Sequence, residues 1–205
     1  MSKPNLKHFK ELESTNTYGM KNLSTLNDMD IIIASKQTGG RGQFDRKWVS
    51  NKNNNVYMSI VLKPFRHAEL DSASFPLTNF SQYMSVVICR VLADYGINAK
   101  IKWPNDVLVN GKKIAGILCE SSIQGKKLKG IVIGIGINLN LEQDDIENID
   151  QPATALNLLV KKPVDKDLFI DGLVCEFIKN YELFLNQGFL LIEKEYTEKS
   201  LTIAK

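Results

Sequence analysis

The stretch Asp106-Val107-Leu108-Val109-Asn110-Gly111-Lys112-Lys113-Ile114-Ala115-Gly116-Ile117-Leu118-Cys119-Glu120-Ser121 decides the fold class. Two apolar runs rich in β-branched residues flank Asn-Gly, a dipeptide that accepts the positive φ angles of a two-residue hairpin turn. The pattern predicts strands over residues 106–109 and 114–121, joined at Asn110-Gly111. Moving outward, Gln124-Gly125 supplies a second turn and residues 128–138 a third strand. The contiguous Ile131-Val132-Ile133 within it fits a strand covered on both faces. Upstream, the same meander reaches back to Ile101. Further strands are predicted over 30–35, around Ile31-Ile32-Ile33, and over 56–62, which follows the polar run 51–55.

Two longer segments carry helical spacing. Over 75–95, Leu77, Phe80, Met84, Val87, Val91 and Leu92 share a face, and Gly96 is a stop signal. Over 166–186, Leu173, Phe177, Tyr181 and Phe184 repeat the pattern, with Asp165 as N-cap and Gly188 as terminator. A shorter helix follows Ser14-Thr15-Asn16. Helices set apart from a run of antiparallel strands predict an α+β (mixed α/β) fold, a largely antiparallel sheet packed with helices. The 205 residues fit one domain, 1–205, with no internal repeat.

Composition narrows the function. A net charge of +3, with basic residues in the short runs Lys126-Lys127-Lys129 and Lys161-Lys162, both expected in turns, gives no basic stripe for nucleic acid. The two histidines, His8 and His67, lie far apart in polar contexts, which argues against a His-based metal site or a Ser-His-Asp triad. Cys89, Cys119 and Cys175 are odd in number, lack CxxC spacing and sit in apolar stretches, as buried free thiols in a reducing cytoplasm would. No signal-peptide core and no apolar run of about 18 residues is present, so a soluble, cytoplasmic protein with no membrane partner is expected.

Four segments could carry chemistry, and each has a plainer reading. Gln37-Thr38-Gly39-Gly40-Arg41-Gly42-Gln43-Phe44-Asp45-Arg46-Lys47-Trp48 offers exposed backbone N–H groups and cations for an anion, or is a charged surface loop. It is neither a P-loop nor a dinucleotide fingerprint. Lys102-Trp103-Pro104-Asn105-Asp106 places a lysine, an amide and a carboxylate at a strand junction, suited to a nucleotide and its Mg2+, or is a proline-set turn. Gly134-Ile135-Gly136-Ile137-Asn138 lets a ligand or another backbone approach a strand closely, or is a bulged core strand. Ser14-Thr15-Asn16 after Glu13 reads by itself as helix capping.

Taken in order, these segments, from residue 13 to residue 140, resemble the biotin–protein ligase family. The resemblance implies a seven-stranded mixed sheet with helices, of the biotin–lipoate ligase and class II aminoacyl-tRNA synthetase type. It also implies an enzyme that makes biotinyl-5′-AMP from biotin and ATP with Mg2+, then transfers biotin to a lysine of a biotin carboxyl carrier protein. Carried over by position, Ser14, Thr15, Asn16, Gln37, Gly40, Arg41, Gly42, Gln43, Lys113, Gly116 and Leu118 would meet biotin. Arg41, Trp48, Lys102, Asn105 and Asn138 would meet ATP, and Asp106 the metal. Lys113, Arg41 and Lys102 would be the catalytic cations. The in-line attack needs no general base, because the biotin carboxylate is already an anion.

The sequence also departs from the family pattern. A second arginine usual in the glycine loop is Gln43, which loses a charge and a bidentate fork, and a usual glycine is Asp45. The dozen residues before Ser14 leave no room for a DNA-binding winged helix, so no DNA partner is expected. The SH3-like C-terminal domain common in the family is expected to be absent or truncated. Both monomers and homodimers occur in such a family. The competing readings are a lipoate–protein ligase-like enzyme and a biotin-binding non-enzymatic or degenerate homologue.

Overall fold

The computed structural model describes residues 4–43, 46–50, 54–63, 77–125 and 127–201. Phe44, Asp45, His67, Lys126, residues 51–53 and the start of the predicted 75–95 helix lie outside the described residues. Seven strands make one mixed sheet: β1 (Asn5–Leu12), β2 (Asp30–Gln37), β3 (Val56–Leu62), β4 (Lys100–Lys102), β5 (Asp106–Val109), β6 (Lys112–Gln124) and β7 (Lys127–Ile137). Their order is β1-β2-β3-β7-β6-β5-β4. The β5–β6 hairpin forms where the Asn-Gly signal predicts it, with φ of 51° at Asn110 and 76° at Gly111. Contact density divides the chain into two compact units, Met1–Phe80 with Ile117–Gly136, and Ser81–Gly116 with Ile137–Lys205.

In the first unit, β1 runs parallel to β2 and β3 antiparallel to it. β1 was not legible in the sequence. Its residues are mostly exposed, and Leu6, Phe9 and Leu12 are spaced by three rather than two. Pairing with β2 supplies what the alternation lacks. β3 is buried along its whole length, including Ser59. Helix α1 (Thr15–Lys21) has only seven residues, too few to be stable alone. Ser14 caps it, and Gly19 lets it lie against Val132 and Ile32, where a Cβ would come within 3.0 Å of Val132. Around it Leu23, Leu26, Ile32, Val61 and Val132 form an apolar cluster with Phe9, Leu12, Tyr18 and Met20. Each fully buried aliphatic side chain there contributes roughly 1.5–3 kcal/mol.

In the second unit, α2 (Leu77–Asp94), α5 (Lys166–Lys179), α6 (Tyr181–Gln187) and α7 (Glu193–Lys199) share an aromatic core, with the short α3 (Gln143–Glu147) and α4 (Leu156–Val160) preceding α5. Tyr83 stacks on Phe184 at 4.2 Å, meets Phe177 edge-on, and donates its hydroxyl to the Phe177 carbonyl at 2.6 Å. Burial holds that hydroxyl well above its ordinary pKa. Arg90 ties three helices together, bonding Glu176 of α5 at 3.0 Å and Glu195 of α7 at 2.6 Å.

Three expectations needed correction. The 166–186 helix is two helices, broken at Asn180, whose φ of −120° and ψ of 9° are non-helical. Asparagine favours helix ends because its side chain competes for backbone hydrogen bonds. Asp165 caps the first helix and Gly188 ends the second, as predicted. Lys127 and Lys129 lie on β7 rather than in a turn, because exposed strand positions accept charge as readily as loops do. Of the three free thiols only Cys89 is buried; Cys119 is half-buried and Cys175 exposed on α5. A lone cysteine in an apolar stretch of an amphipathic helix can still fall on the solvent face. No described helix is long and apolar enough to cross a membrane.

Candidate functional site

Each unit gathers part of the predicted site. In the first, Thr15 and Asn16 start α1 beside Gln37, at the end of β2. The Thr15 N–H donates to Gln37 Oε1 at 2.8 Å, and the Thr15 hydroxyl oxygen lies 3.2 Å from the same atom. Gln37 Oε1 is thereby fixed, so its Nε2 protons point the other way. Asn16 Nδ2 donates to the Leu118 carbonyl and to Glu120 Oε2, both at 2.9 Å. The Ser59 hydroxyl lies 2.7 Å from Asn16 Oδ1 and 2.8 Å from Thr15 Oγ1. An amide oxygen only accepts, so the Ser59 proton goes to Asn16 Oδ1, and the 2.8 Å contact between the hydroxyls is closed by the Thr15 proton. These contacts set the Asn16 amide in one orientation with both of its donors used inside the protein. Ser14 caps α1 by accepting from the Thr17 N–H at 3.4 Å.

The glycine-rich loop folds back on itself. Arg41 pairs with Lys47 in an antiparallel bridge, the Gly42 N–H donates to Arg46 O at 2.7 Å, and the Trp48 N–H to Gly40 O at 3.0 Å. Gln43 sits at its turn, its carbonyl accepting from the Arg46 N–H at 3.2 Å. Arg41 Nη2 reaches Glu120 Oε2 at 2.8 Å and Oε1 at 3.1 Å. The glycines of β7 are explained here too. A Cβ on Gly134 would stand 2.2 Å from Asn16 Oδ1, and one on Gly136 2.5 Å from the Trp48 ring. They make room for protein side chains, where the sequence suggested a ligand or a backbone.

In the second unit, Lys113 Nζ and an Asp106 oxygen are 2.7 Å apart, each side chain only 16% exposed. Lys113 is pinned through its backbone, donating to Pro152 O at 2.8 Å and accepting from the Thr154 N–H at 2.9 Å. Asp106 faces Gly116 across the β5–β6 ladder and Lys102 across β4–β5. Lys102 and Trp103 are exposed and Asn105 half-buried. The buried Asn138 donates its amide to Thr154 O at 3.1 Å, which fastens the segment that pins Lys113. Asp106 alone does not make a metal centre. Its carboxylate is engaged by an ammonium, and among the described residues no group of three or more His, Cys, Asp or Glu side chains could hold an ion.

A model of the biotin/lipoate A/B protein ligase family matches residues 8–138. The chain belongs to that family. Relatives include the bifunctional ligase/repressor BirA of Bacillus subtilis, 33% identical over 178 residues, covering 84% of this chain and 52% of the relative. Another is the biotin–[acetyl-CoA-carboxylase] ligase of Paracoccus denitrificans, 29% identical, covering 94% of this chain and 80% of the relative. The chain spans about half the length of the first of these. Among solved structures, the biotin protein ligase from Aquifex aeolicus in complex with biotin and ATP superposes with a TM-score of 0.78 at 26% identity, covering 96% of this chain and 78% of that one. The seven-stranded sheet is thus the sheet of the biotin/lipoate ligase family.

Within this family assignment, two residues outside the predicted set join the first cluster: Ser59 and Glu120. Both left a signal in the sequence. Ser59 is the one serine in the otherwise largely apolar Val56–Leu62, and Glu120 is a charge at the end of the apolar run 114–119. A polar residue inside an apolar strand needs a partner, and that partner is chosen by the fold.

Proposed function

We propose that this chain is a biotin–protein ligase, converting biotin and ATP to biotinyl-5′-AMP and then biotinylating a lysine of a biotin carboxyl carrier protein. The observation that carries the reading is the fixed amide array of Thr15, Asn16, Gln37 and Ser59 with Arg41 at its edge. A cyclic urea is neutral and rich in both donors and acceptors. It suits buried groups whose orientation is already set, since each unsatisfied polar atom in such a pocket costs about 1–3 kcal/mol. Gln37, whose Oε1 is held by Thr15, presents Nε2 protons to such a head. Asn16 acts by holding the array, its donors being used by Leu118 and Glu120. The superposition with a ligase holding biotin and ATP supports the same assignment.

In the first step a biotin carboxylate oxygen forms a bond to the α-phosphorus of ATP while the bond to the pyrophosphate oxygen breaks, and pyrophosphate leaves. Lys113 offsets charge at the activated carboxylate and phosphate, and Arg41 at the adenylate, with Lys102 adding positive charge. Asn105, Asn138 and Trp48 belong to the nucleotide side of this assignment. Mg2+ travels with ATP rather than residing on the protein, and no step depends on its position. In the second step the carrier lysine, as the neutral amine, attacks the acyl carbon; AMP leaves and the amine loses a proton. This reading makes the protein a cytoplasmic enzyme with a carboxylase carrier as its substrate.

The test is pyrophosphate release dependent on both biotin and ATP, followed by transfer of labelled biotin to a carrier domain. Release with lipoate and none with biotin would replace this reading with a lipoate ligase. Biotin binding without release would make the chain a binding module.

A further inference from the structure

We infer that Glu120 is a positioning residue of the ligase proposed above. It couples the arginine of the glycine-rich loop to the amide array, so that one carboxylate sets both biotin affinity and retention of the adenylate. Glu120 has two oxygens and two partners from different elements. Oε2 accepts from Asn16 Nδ2 at 2.9 Å and from Arg41 Nη2 at 2.8 Å, and Oε1 from the same Arg41 nitrogen at 3.1 Å. The carboxylate keeps 26% of its side-chain surface exposed and Arg41 47%, so the pair meets at the rim of the cluster.

Two details separate this from an ordinary surface ion pair, which is worth about 0–1 kcal/mol. First, the contact uses only the Nη2 nitrogen of Arg41. Among the described residues no other side chain bonds the guanidinium, so its Nε and Nη1 donors stay available for an anion. Glu120 therefore aims the guanidinium without consuming it. Second, Glu120 takes the Asn16 proton that the Leu118 carbonyl does not, and this fixes the face Asn16 turns to Ser59. A neutral amide at position 120 could satisfy neither role fully. Its NH2 would confront the Arg41 or Asn16 donors, and its single oxygen would be shared.

Glu120→Gln is the discriminating variant. We expect KM for biotin to rise about tenfold, the scale of one lost charge-assisted hydrogen bond, and the adenylate to escape about tenfold faster. The turnover number for adenylate formation should fall too, but less than in Arg41→Ala, because the guanidinium that offsets charge at the adenylate is misaimed rather than removed. In an Arg41→Ala background the effect of Glu120→Gln on escape should shrink to below about twofold, as coupled residues require. Glu120→Asp, which restores the charge, should recover part of both effects. An unchanged KM and escape rate would overturn the inference, as would equal effects of Glu120→Gln in both backgrounds.

The inference rests on the ligase reading for its kinetics but not for its tether. In the ligand-free protein, amide hydrogen exchange at Gly42 and Trp48 should quicken about tenfold in Glu120→Gln, since their bonds to Arg46 and Gly40 depend on a docked loop. If the wild type forms no adenylate, the ligase reading fails while this measurement still decides the tether; unchanged exchange would refute it. Should Glu120→Gln not fold, Arg41→Gln, altered on the exposed side of the pair, reads the same exchange.

Discussion

Arg41 and Lys113 are both cations held by a carboxylate, yet they are built differently. Lys113 stands on a strand, its backbone bonded on both sides by Pro152 and Thr154, and its ammonium is 2.7 Å from Asp106 with little solvent contact. Arg41 stands on a short turned-back loop, half in solvent, and its carboxylate partner is shared with an amide. The first is a charge fixed in place by the sheet. The second is a charge whose position depends on a few side-chain contacts. Preorganised charge is worth more to a transition state because it needs no reorganisation as the reaction proceeds. Movable charge is suited to closing over a ligand after it arrives.

The comparison breaks most readily at Lys113. Lys113→Ala should lower biotin-dependent pyrophosphate release about 10²–10³-fold, the scale of one preorganised donor lost from a developing charge. Unfolding should cost less, on the order of 2 kcal/mol, because the Asp106 left behind keeps some access to water. Parallel rate and chemical-denaturation measurements give both numbers, and wild-type adenylation would remove Lys113 from the mechanism.

Next in size is Gly134→Ala, which pushes a methyl to 2.2 Å from Asn16 Oδ1. Forced overpacking should destabilise by about 1–3 kcal/mol and weaken biotin binding about tenfold or more, read by calorimetry. Normal affinity would mean that the Asn16 orientation is not what the pocket depends on. Gln43→Arg, adding a second cation at the loop turn, should slow adenylate escape several-fold, roughly 1 kcal/mol of added retention. An unchanged escape rate would make the glutamine neutral.

The smallest effect is expected at the thiols. Burial pushes the Cys89 thiol up to about 12, whereas Cys175 is exposed. Burial keeps the Cys89 thiol protonated and out of reach, so a thiol reagent should modify Cys175 quickly and Cys89 only on unfolding. Cys175→Ser should abolish the fast phase and leave adenylation unchanged.

Much of the fold was legible because the signals were local. Asn110-Gly111 marked the hairpin, Asp165 and Gly188 the ends of the C-terminal helical segment, and the apolar runs the buried strands. Where the reading failed, the missing term was contact with distant residues. β1 shows no alternation and becomes a strand by pairing with β2. Asn180 breaks a helix whose apolar face gives no hint of the break. Cys175 faces solvent although its neighbours are apolar.

The site divides in the same way. By itself the sequence determined which residue types were present in which order: the Gly40-Arg41-Gly42 loop, Lys113 after the Asn-Gly turn, and the glycines of β7. It could do so because motifs are short and their spacing is covalent. Only the tertiary structure decided the partners. Asp106 goes to Lys113, Asn138 fastens Thr154, and Glu120, 79 residues along the chain from Arg41, holds both that arginine and Asn16. A hydrogen bond depends on distances of about 3 Å and on which donors remain unfilled. Both are properties of packed neighbours, which the order of residues along the chain does not contain.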